Sequence, residues 1–386
     1  MHIAVNALSV RSGGGLTFLR NLLEHLLDID QKNQYLIFVT EAKVEQLEIP
    51  RNCPNLRIIV CPARKWFVRA CWEQVVLPWI LRREKVDVLY APGNQGPCFS
   101  SIPFVVLVQN VDPLIRSGKR LPVVFRMKRW ALRTMTRLSI QKANKVIAIS
   151  NYTRRLLVQE FGCDPKEIAV IPHGAPKGSE SFRALRLEEQ FRAEKKVKSP
   201  YLLAVSNIGY NKNYETLIQA FAIASRALDG NVDLVIAGER GPKKYFERLL
   251  HHTQAMDISS RVHFLGGVSP GEMPAVYAGA RALVYPSLVE SFGLPPLEAM
   301  AYGLPVAASG IDPIREVCED AALYFNPDDH REMAKAIVQV VENNLLRSAL
   351  IDRGRARALQ FSWEKTACRT LEILQAAVRS QKPTTR

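Results

Sequence analysis

The chain contains no apolar run of the roughly 18 residues that a membrane-spanning helix needs. Its first residues, Met1-His2-Ile3-Ala4-Val5-Asn6, enter a strand-like pattern at once. That opening lacks the charged, apolar and small-residue regions of a secretory signal, so the expectation is a protein made and kept in the cytosol. Cysteine is sparse: seven thiols, at 53, 61, 71, 98, 163, 318 and 368, odd in number and never in a C-x-x-C pair. This argues against a zinc site or a disulfide framework and for buried free thiols in a reducing compartment. The second half has neither a G-x-G-x-x-G fingerprint nor a Walker lysine motif, and no D-x-D stands where it would bind a metal.

What is present suits an ordinary globular protein. With 386 residues, 47% hydrophobic and 23% charged, the chain is long enough for two domains, each with its own core. The formal charge of +15 is lopsided. Residues 1–190 hold 28 Lys and Arg against 16 Asp and Glu, and residues 191–386 hold 24 against 21. An anionic partner for the first half follows: lipid head groups, an acceptor phosphate or nucleic acid.

Short apolar runs alternate with helical patterns. In the first half the runs are Ile3–Leu8, Tyr35–Val39, Leu56–Val60, Val86–Tyr90, Phe104–Val108, Val146–Ile149 and Ala169–Ile171, with amphipathic stretches such as Leu16–Leu27 and Tyr152–Phe161 between them. Residues 174–199, first Gly-, Pro- and Ser-bearing and then charged, read as a linker. A second series follows at Tyr201–Val205, Leu234–Ala237, Val262–Leu265, Ala282–Tyr285, Pro305–Ala308 and Leu323–Phe325. Strand–helix alternation with wholly apolar strands predicts an α/β protein of two doubly wound parallel-sheet domains. Ligands are expected in a central cleft, at the carboxyl ends of the strands.

The most informative segment is Pro286-Ser287-Leu288-Val289-Glu290-Ser291-Phe292-Gly293-Leu294-Pro295-Pro296-Leu297-Glu298. A strand ends near Tyr285 and a helix is predicted to begin around Pro295. The amides of Phe292 and Gly293, with the positive helix end, make an anion seat. Glu298 is expected in the first turn, so that it and Glu290 grip different hydroxyls of one elongated ligand. Taken alone, the two acids read equally as a dipole-favoured helix residue and a loop glutamate. Two further stretches favour the ligand reading. Ser206-Asn207-Ile208-Gly209-Tyr210-Asn211-Lys212 leads from a strand into the helix Tyr214–Ala222 and offers Lys212 to a phosphate. Gly238-Glu239-Arg240-Gly241 is a glycine-rich turn with a cation. Each has a plain alternative as a solvated loop.

These stretches together resemble the retaining glycosyltransferases called GT4, which have the GT-B fold; the likeness covers nearly the whole chain and is most specific over Val262–Asp328. Glu290 to Glu298 fits the E-x7-E motif of that family. The resemblance implies that Glu298 holds the donor ribose, that Glu290 holds the transferred sugar, and that Lys212 binds the diphosphate. It also implies that the backbone of Ser291, Phe292, Gly293 and Leu294 reaches sugar and phosphate, and that the backbone at Val268 faces the base. The helix opened by Phe361-Ser362-Trp363-Glu364 is implied to cross back onto the first domain. The domains expected are therefore 1–180 with 362–380, binding acceptor, and 200–361, binding the nucleotide-sugar donor. Two departures stand out. Members of the family pair the lysine with an arginine a few residues earlier, where this chain has only Asn207; Arg240 is the candidate replacement. They also carry a His-Asp or His-Asn pair after the strand Phe104–Val108, where this chain reads Gln109-Asn110-Val111-Asp112. Gln109 and Asn110 are taken as sugar or acceptor contacts, and Asp112 as an acceptor contact; glutamine cannot shuttle a proton. His173 is read as structural or as facing the cleft.

Gly13, Gly14 and Gly15 precede the first helix and suit close approach of a diphosphate, or form a plain flexible loop. From Arg116 to Lys142 there are nine basic residues and no acidic one: Arg116, Lys119, Arg120, Arg126, Lys128, Arg129, Arg133, Arg137 and Lys142. With Phe125, Met127, Trp130 and Leu132 interleaved, this reads as a face for an anionic membrane or as a solvated helix. No nucleic-acid module accompanies it, so a nucleic-acid partner is not expected.

The expectation is a retaining hexosyltransferase, a mannosyltransferase among the options. It moves sugar from GDP- or UDP-sugar to a saccharide or lipid-linked acceptor in cell-surface polysaccharide synthesis, without metal or cofactor. Its expected place is the cytosol or the inner face of the cytoplasmic membrane. The alternatives are a GT-B scaffold or binding protein with impaired catalysis, and a nucleotide-sugar epimerase.

Overall fold

A computed structural model describes residues 1–10, 13–48, 53–62, 66–115, 123–176, 197, 200–228 and 232–380, with the side chains of 42, 45, 66, 67, 123–126 and 128 excepted. The chain divides into two compact units, Met1–Gly174 with Ser362–Arg386, and Ala175–Phe361. The boundary lies at the very start of the expected linker; residues 177–196, 198 and 199 are outside the described residues.

All thirteen apolar runs form strands, with ends within two residues of those expected. In the first unit they are β1 (His2–Asn6), β2 (Gln34–Thr40), β3 (Leu56–Cys61), β4 (Val88–Ala91), β5 (Phe104–Val108), β6 (Lys145–Ala148) and β7 (Ile168–Val170), in the order β3-β2-β1-β4-β5-β6-β7. The second unit has β8 (Tyr201–Val205), β9 (Asp233–Ala237), β10 (Val262–Gly266), β11 (Ala280–Tyr285), β12 (Val306–Ser309) and β13 (Ala322–Phe325), in the order β10-β9-β8-β11-β12-β13. Every pairing is parallel. Helices on both faces of such a sheet demand inner strands buried on both sides, which is why β4 (Val-Leu-Tyr-Ala), β5 (Phe-Val-Val-Leu-Val) and most of β9 are continuous apolar runs, whereas the edge strands β3 and β10 admit Arg57 and His263.

Two displaced strand ends have identifiable causes. β1 stops at Asn6 because its Oδ1 accepts the Leu8 amide at 3.2 Å and turns the chain. β4 starts after Val86 because that amide closes the preceding helix on Leu81 O, with Lys85 left-handed at φ 52°. The helix Trp363–Arg379 begins at Ser362, whose hydroxyl accepts the Lys365 amide, and belongs to the first unit. There it packs on the helix Gly14–Ile29, and Thr366 Oγ1 donates to Pro172 O at 2.8 Å. Gly174 is the residue that permits this docking: a Cβ there would stand 2.2 Å from Trp363 N.

The thiols correct the expectation of burial. Only Cys61 and Cys318 are buried, whereas Cys71 and Cys368 are exposed on the solvent faces of their helices. Sequence composition cannot tell an inward from an outward helix position for a single small residue.

Candidate functional site

In both units the chain winds outward from the centre in one direction and then in the other. The reversal lies between β1 and β4 in the first unit and between β8 and β11 in the second. Loops diverge at such a point and leave a crevice at the carboxyl ends of the strands.

In the second unit the loop after β8 carries Asn207 and Lys212, and the loop after β11 carries Glu290. Leu288 N donates to Asn211 O at 2.9 Å and ties the two loops together. Across that tie, Lys212 Nζ lies 2.5 Å from Glu290 Oε1, and the two side chains are 19% and 12% exposed. Tyr285 OH donates to the same Oε1 at 2.5 Å, and Lys212 Nζ sits 5.8 Å from the Tyr285 ring centroid. Lys212 itself lies in a short 3-10 turn, Tyr210–Lys212, and Asn213, left-handed at φ 59°, starts the helix Tyr214–Ala227.

Gly293, left-handed at φ 108°, caps the helix Leu294–Ala301, whose Pro295 occupies the first turn as expected. Glu298 is a correction: four residues past Leu294, it lies beyond the first turn, which contains no acidic residue. The helix end therefore does not aim it. Its Oε2 instead accepts the Tyr277 hydroxyl at 2.7 Å, and the Tyr277 ring stacks on Tyr302 at 5.1 Å and 17°. Phe292 is buried with its ring edge-on to Phe361, and Leu294 is buried beside it, while Ser291 is half-buried.

Two sequence expectations change character. Asn207 acts within the loops, its Oδ1 accepting the Glu239 amide at 3.2 Å. Gly238 and Gly241 serve backbone packing, because a Cβ at either would stand 2.0 Å from Ser206 O and 1.7 Å from Ile208 O respectively. The exposed Arg240 lays its guanidinium 4.9 Å from the Phe246 ring centroid. Val268 is half-buried in the loop after β10.

In the first unit Gly13, at φ 81°, caps the helix Gly14–Ile29, and its carbonyl accepts the Leu16 and Thr17 amides. Ser12 is outside the described residues. A Cβ on Gly15 would lie 3.8 Å from Gln109 Nε2, so the glycine loop and Gln109 adjoin. Gln109 Nε2 donates to Pro92 O at 2.6 Å. Asn94 was not anticipated: buried and left-handed at φ 65°, it accepts the Gln109 and Asn110 amides on Oδ1 and donates to Asn110 O. An asparagine after glycine in a strand-end loop was the available signal. Asn110 and Asp112 are exposed, with the Asp112 amide donating to Asn110 Oδ1.

His173 is structural. Its ring stacks on Phe18 at 4.7 Å and on Trp363 at 5.8 Å, and burial pushes its pKa down to about 3, so it is neutral.

The basic stretch is also revised. Residues 116–122, with Arg116, Lys119 and Arg120, and the side chains of Arg126 and Lys128 lie outside the described residues. On the helix Val123–Lys142, Arg129 donates to Ile115 O, and Arg133 donates to Leu114 O and pairs with Glu160 at 2.5 Å. Two of the nine cations thus fasten the chain to itself. Arg137 and Lys142 point to solvent. Among the described residues no helix is long and apolar enough to cross a membrane.

Comparison with known proteins adds to this geometry. Residues 12–176 match the family model described as Glycosyltransferase Family 4, and residues 186–357 match that described as Glycosyl transferases group 1. The chain is 33% identical over 242 residues to the O-antigen chain mannosyltransferase B of Escherichia coli, covering 60% of this chain and 61% of that protein. It is 30% identical over 208 residues to the O-antigen chain mannosyltransferase RfbU of Salmonella typhimurium, covering 54% of each. The matched region thus falls short of two thirds of either relative. The structure of Anabaena Alr3699/HepE in complex with UDP and glucose shares the fold, with a TM-score of 0.75 at 20% identity over 97% of this chain and 100% of that one.

Proposed function

Because the chain belongs to the GT4-type glycosyltransferases and has the GT-B fold, we propose that it is a retaining hexosyltransferase. It moves sugar from a GDP- or UDP-sugar to a saccharide or lipid-linked saccharide in cell-surface polysaccharide synthesis. The observation that carries this reading is the meeting of Lys212, Glu290 and Tyr285 at the ends of β8 and β11, with Glu298 eight residues beyond Glu290. The two O-antigen relatives favour mannose.

On this reading Glu298 holds the ribose, Glu290 the sugar and Lys212 the diphosphate. The backbone of Ser291 to Leu294 supports sugar and phosphate, and Val268 borders the base. In the first unit Gly13, Gly14 and Gly15, with Gln109, Asn110 and Asp112, are the proposed substrate contacts. Asn207 and Arg240 shape the donor loops. The C1–O bond to the diphosphate breaks and a C1–O bond to the acceptor forms on the same face. The acceptor proton passes to a donor phosphate oxygen, and nucleoside diphosphate leaves. Lys212 and the helix end supply positive charge to the leaving group, so no metal is required.

A thermal-shift screen against UDP, GDP, ADP, CMP and dTDP tests the donor assignment. One diphosphate is expected to raise the melting temperature of the native chain and to lose that effect in Glu298→Ala. Equal shifts in the two proteins, or none with any nucleotide, would overturn it.

The acceptor side is proposed to work at the inner face of the cytoplasmic membrane, on anionic lipid. Trp130 is 70% exposed, Trp79 58% and Phe99 81%, a large aromatic surface left open to solvent. The helices Trp66–Arg83 and Val123–Lys142 both hydrogen-bond the loop that leads to Phe99, through Gln74 and Ser139. The first helix has one acid, the buried Glu73, and the second has none, while Arg82, Arg83, Arg137 and Lys142 are exposed. Cations beside interfacial aromatics suit an anionic lipid surface. Changing Trp79, Phe99 and Trp130 together to serine is expected to cut sedimentation with phosphatidylglycerol vesicles at least about tenfold. Undiminished sedimentation would remove the membrane reading.

A further inference from the structure

The two glutamates of the site have one feature in common that the sequence motif does not contain: each is held by a buried tyrosine. Tyr285, the last residue of β11, donates to Glu290 Oε1 at 2.5 Å. Tyr277, in the helix Met273–Ala278, donates to Glu298 Oε2 at 2.7 Å. Both rings are buried, one at the end of a central strand and the other stacked on Tyr302, so neither hydroxyl is free to wander. Burial first, and the adjoining carboxylate second, push both hydroxyls well above the ordinary tyrosine range, which keeps them protonated donors.

Lys212 and Tyr285 share a single oxygen, Glu290 Oε1. An incoming diphosphate carries more negative charge than a carboxylate and competes for the ammonium. A glutamate held by lysine alone would be released just as the sugar arrives. The tyrosine hydroxyl is neutral and its ring is fixed, so phosphate does not draw it off. Holding Oε1 also leaves Oε2 able to accept from a sugar hydroxyl. Glu298 lies beyond the first helical turn, where the helix end no longer orients an acid, and the Tyr277 hydroxyl holds its Oε2 instead.

We propose that Tyr285 and Tyr277 are positioning residues of the donor site. Tyr285 keeps Glu290 aligned on the sugar once Lys212 turns to the diphosphate, and Tyr277 sets Glu298 against the ribose. The inference rests on the reading that Glu290 meets the sugar and Glu298 the ribose, and the experiment separates failure of one from failure of the other.

The test is calorimetric titration of the full chain and of Tyr285→Phe, Tyr277→Phe, Glu290→Gln and Glu298→Gln. The ligands are GDP, GDP-mannose and 2′,3′-dideoxy-GDP, or the uridine counterparts if the native chain binds those more tightly. Tyr285→Phe is expected to leave diphosphate affinity within about twofold but to lose about tenfold of the extra affinity conferred by the sugar, as loss of a bond to a charged group does. Tyr277→Phe is expected to lose about tenfold in the preference for the ribonucleotide over its dideoxy form, with the sugar increment unchanged. A purely structural role would weaken all ligands alike. If each Gln variant loses its increment while the Phe variants behave as the native chain, the tyrosines are not positioning residues. If the Gln variants keep their increments, or the native chain binds none of these nucleotides, the donor reading itself fails and the inference falls with it.

Discussion

Replacing Glu290 with alanine is expected to lower the turnover number at least about a hundredfold, close to 2.7 kcal/mol of transition-state stabilisation. Nucleoside diphosphate should bind as tightly as before or more tightly. Lys212 gives its ammonium to Glu290 at 2.5 Å, and that contact opposes transfer of the lysine to a diphosphate. Without the carboxylate the ammonium is available at once, while the group that aligns the sugar is gone. A modest fall in melting temperature should accompany the change, because the buried Tyr285 hydroxyl loses its acceptor, a cost of about 1–3 kcal/mol. Release of nucleotide from labelled donor, together with titration of GDP and UDP, checks both halves. Turnover within threefold of the native value would remove Glu290 from the site.

Gly238→Ala should be strongly disruptive in the second unit. Gly238 closes β9 at φ 153°, and a Cβ would stand 2.0 Å from Ser206 O, 2.4 Å from Ser206 C and 2.9 Å from Asn207 N. All three are backbone atoms of the neighbouring loop, and the loops are laced together: Ser206 N donates to Ala237 O, Gly238 N to Gly266 O and Ile208 N to Glu239 O. Nothing flexible can yield. Strain and displacement together should cost about 3 kcal/mol or more, which lowers the melting temperature by roughly 6–12 °C in a domain of this size. The displaced loop leads directly to Lys212, so nucleotide affinity should fall as well. Gly271→Ala is the matched control, since a Cβ there meets nothing within 4 Å. Equal melting temperatures for the two variants would show that the loops are looser than this geometry requires.

Much of the architecture was already legible in the amino-acid sequence, because strand burial is a local property. A strand covered on both faces must be apolar throughout, so Leu234–Ala237 and Phe104–Val108 identify themselves, and their alternation with helices implies parallel sheets. The loop positions of the candidates Glu290 and Lys212 were legible too, since each stands between a strand end and a helix start, whereas Glu298 was expected one turn too early. Hydrophobic pattern says whether a residue is inside, but not what it meets there. Tyr277 and Tyr285 sit in apolar stretches and look like core, and only the packed unit reveals that their hydroxyls meet Glu298 and Glu290. The meeting of Lys212 with Glu290 spans 78 residues and depends on β8 and β11 being neighbours. Arg129 and Arg133 read as solvent-facing charges until the backbone carbonyls of Leu114 and Ile115 are brought beneath them. Gly238 and Gly241 read as a glycine-rich turn with a cation and prove to be the places where two loops touch backbone to backbone. Composition and spacing determined the strands, their alternation and the residues of the motif; tertiary structure decided every partner, because a partner is chosen by which loops the sheet order makes adjacent and by how far a side chain reaches.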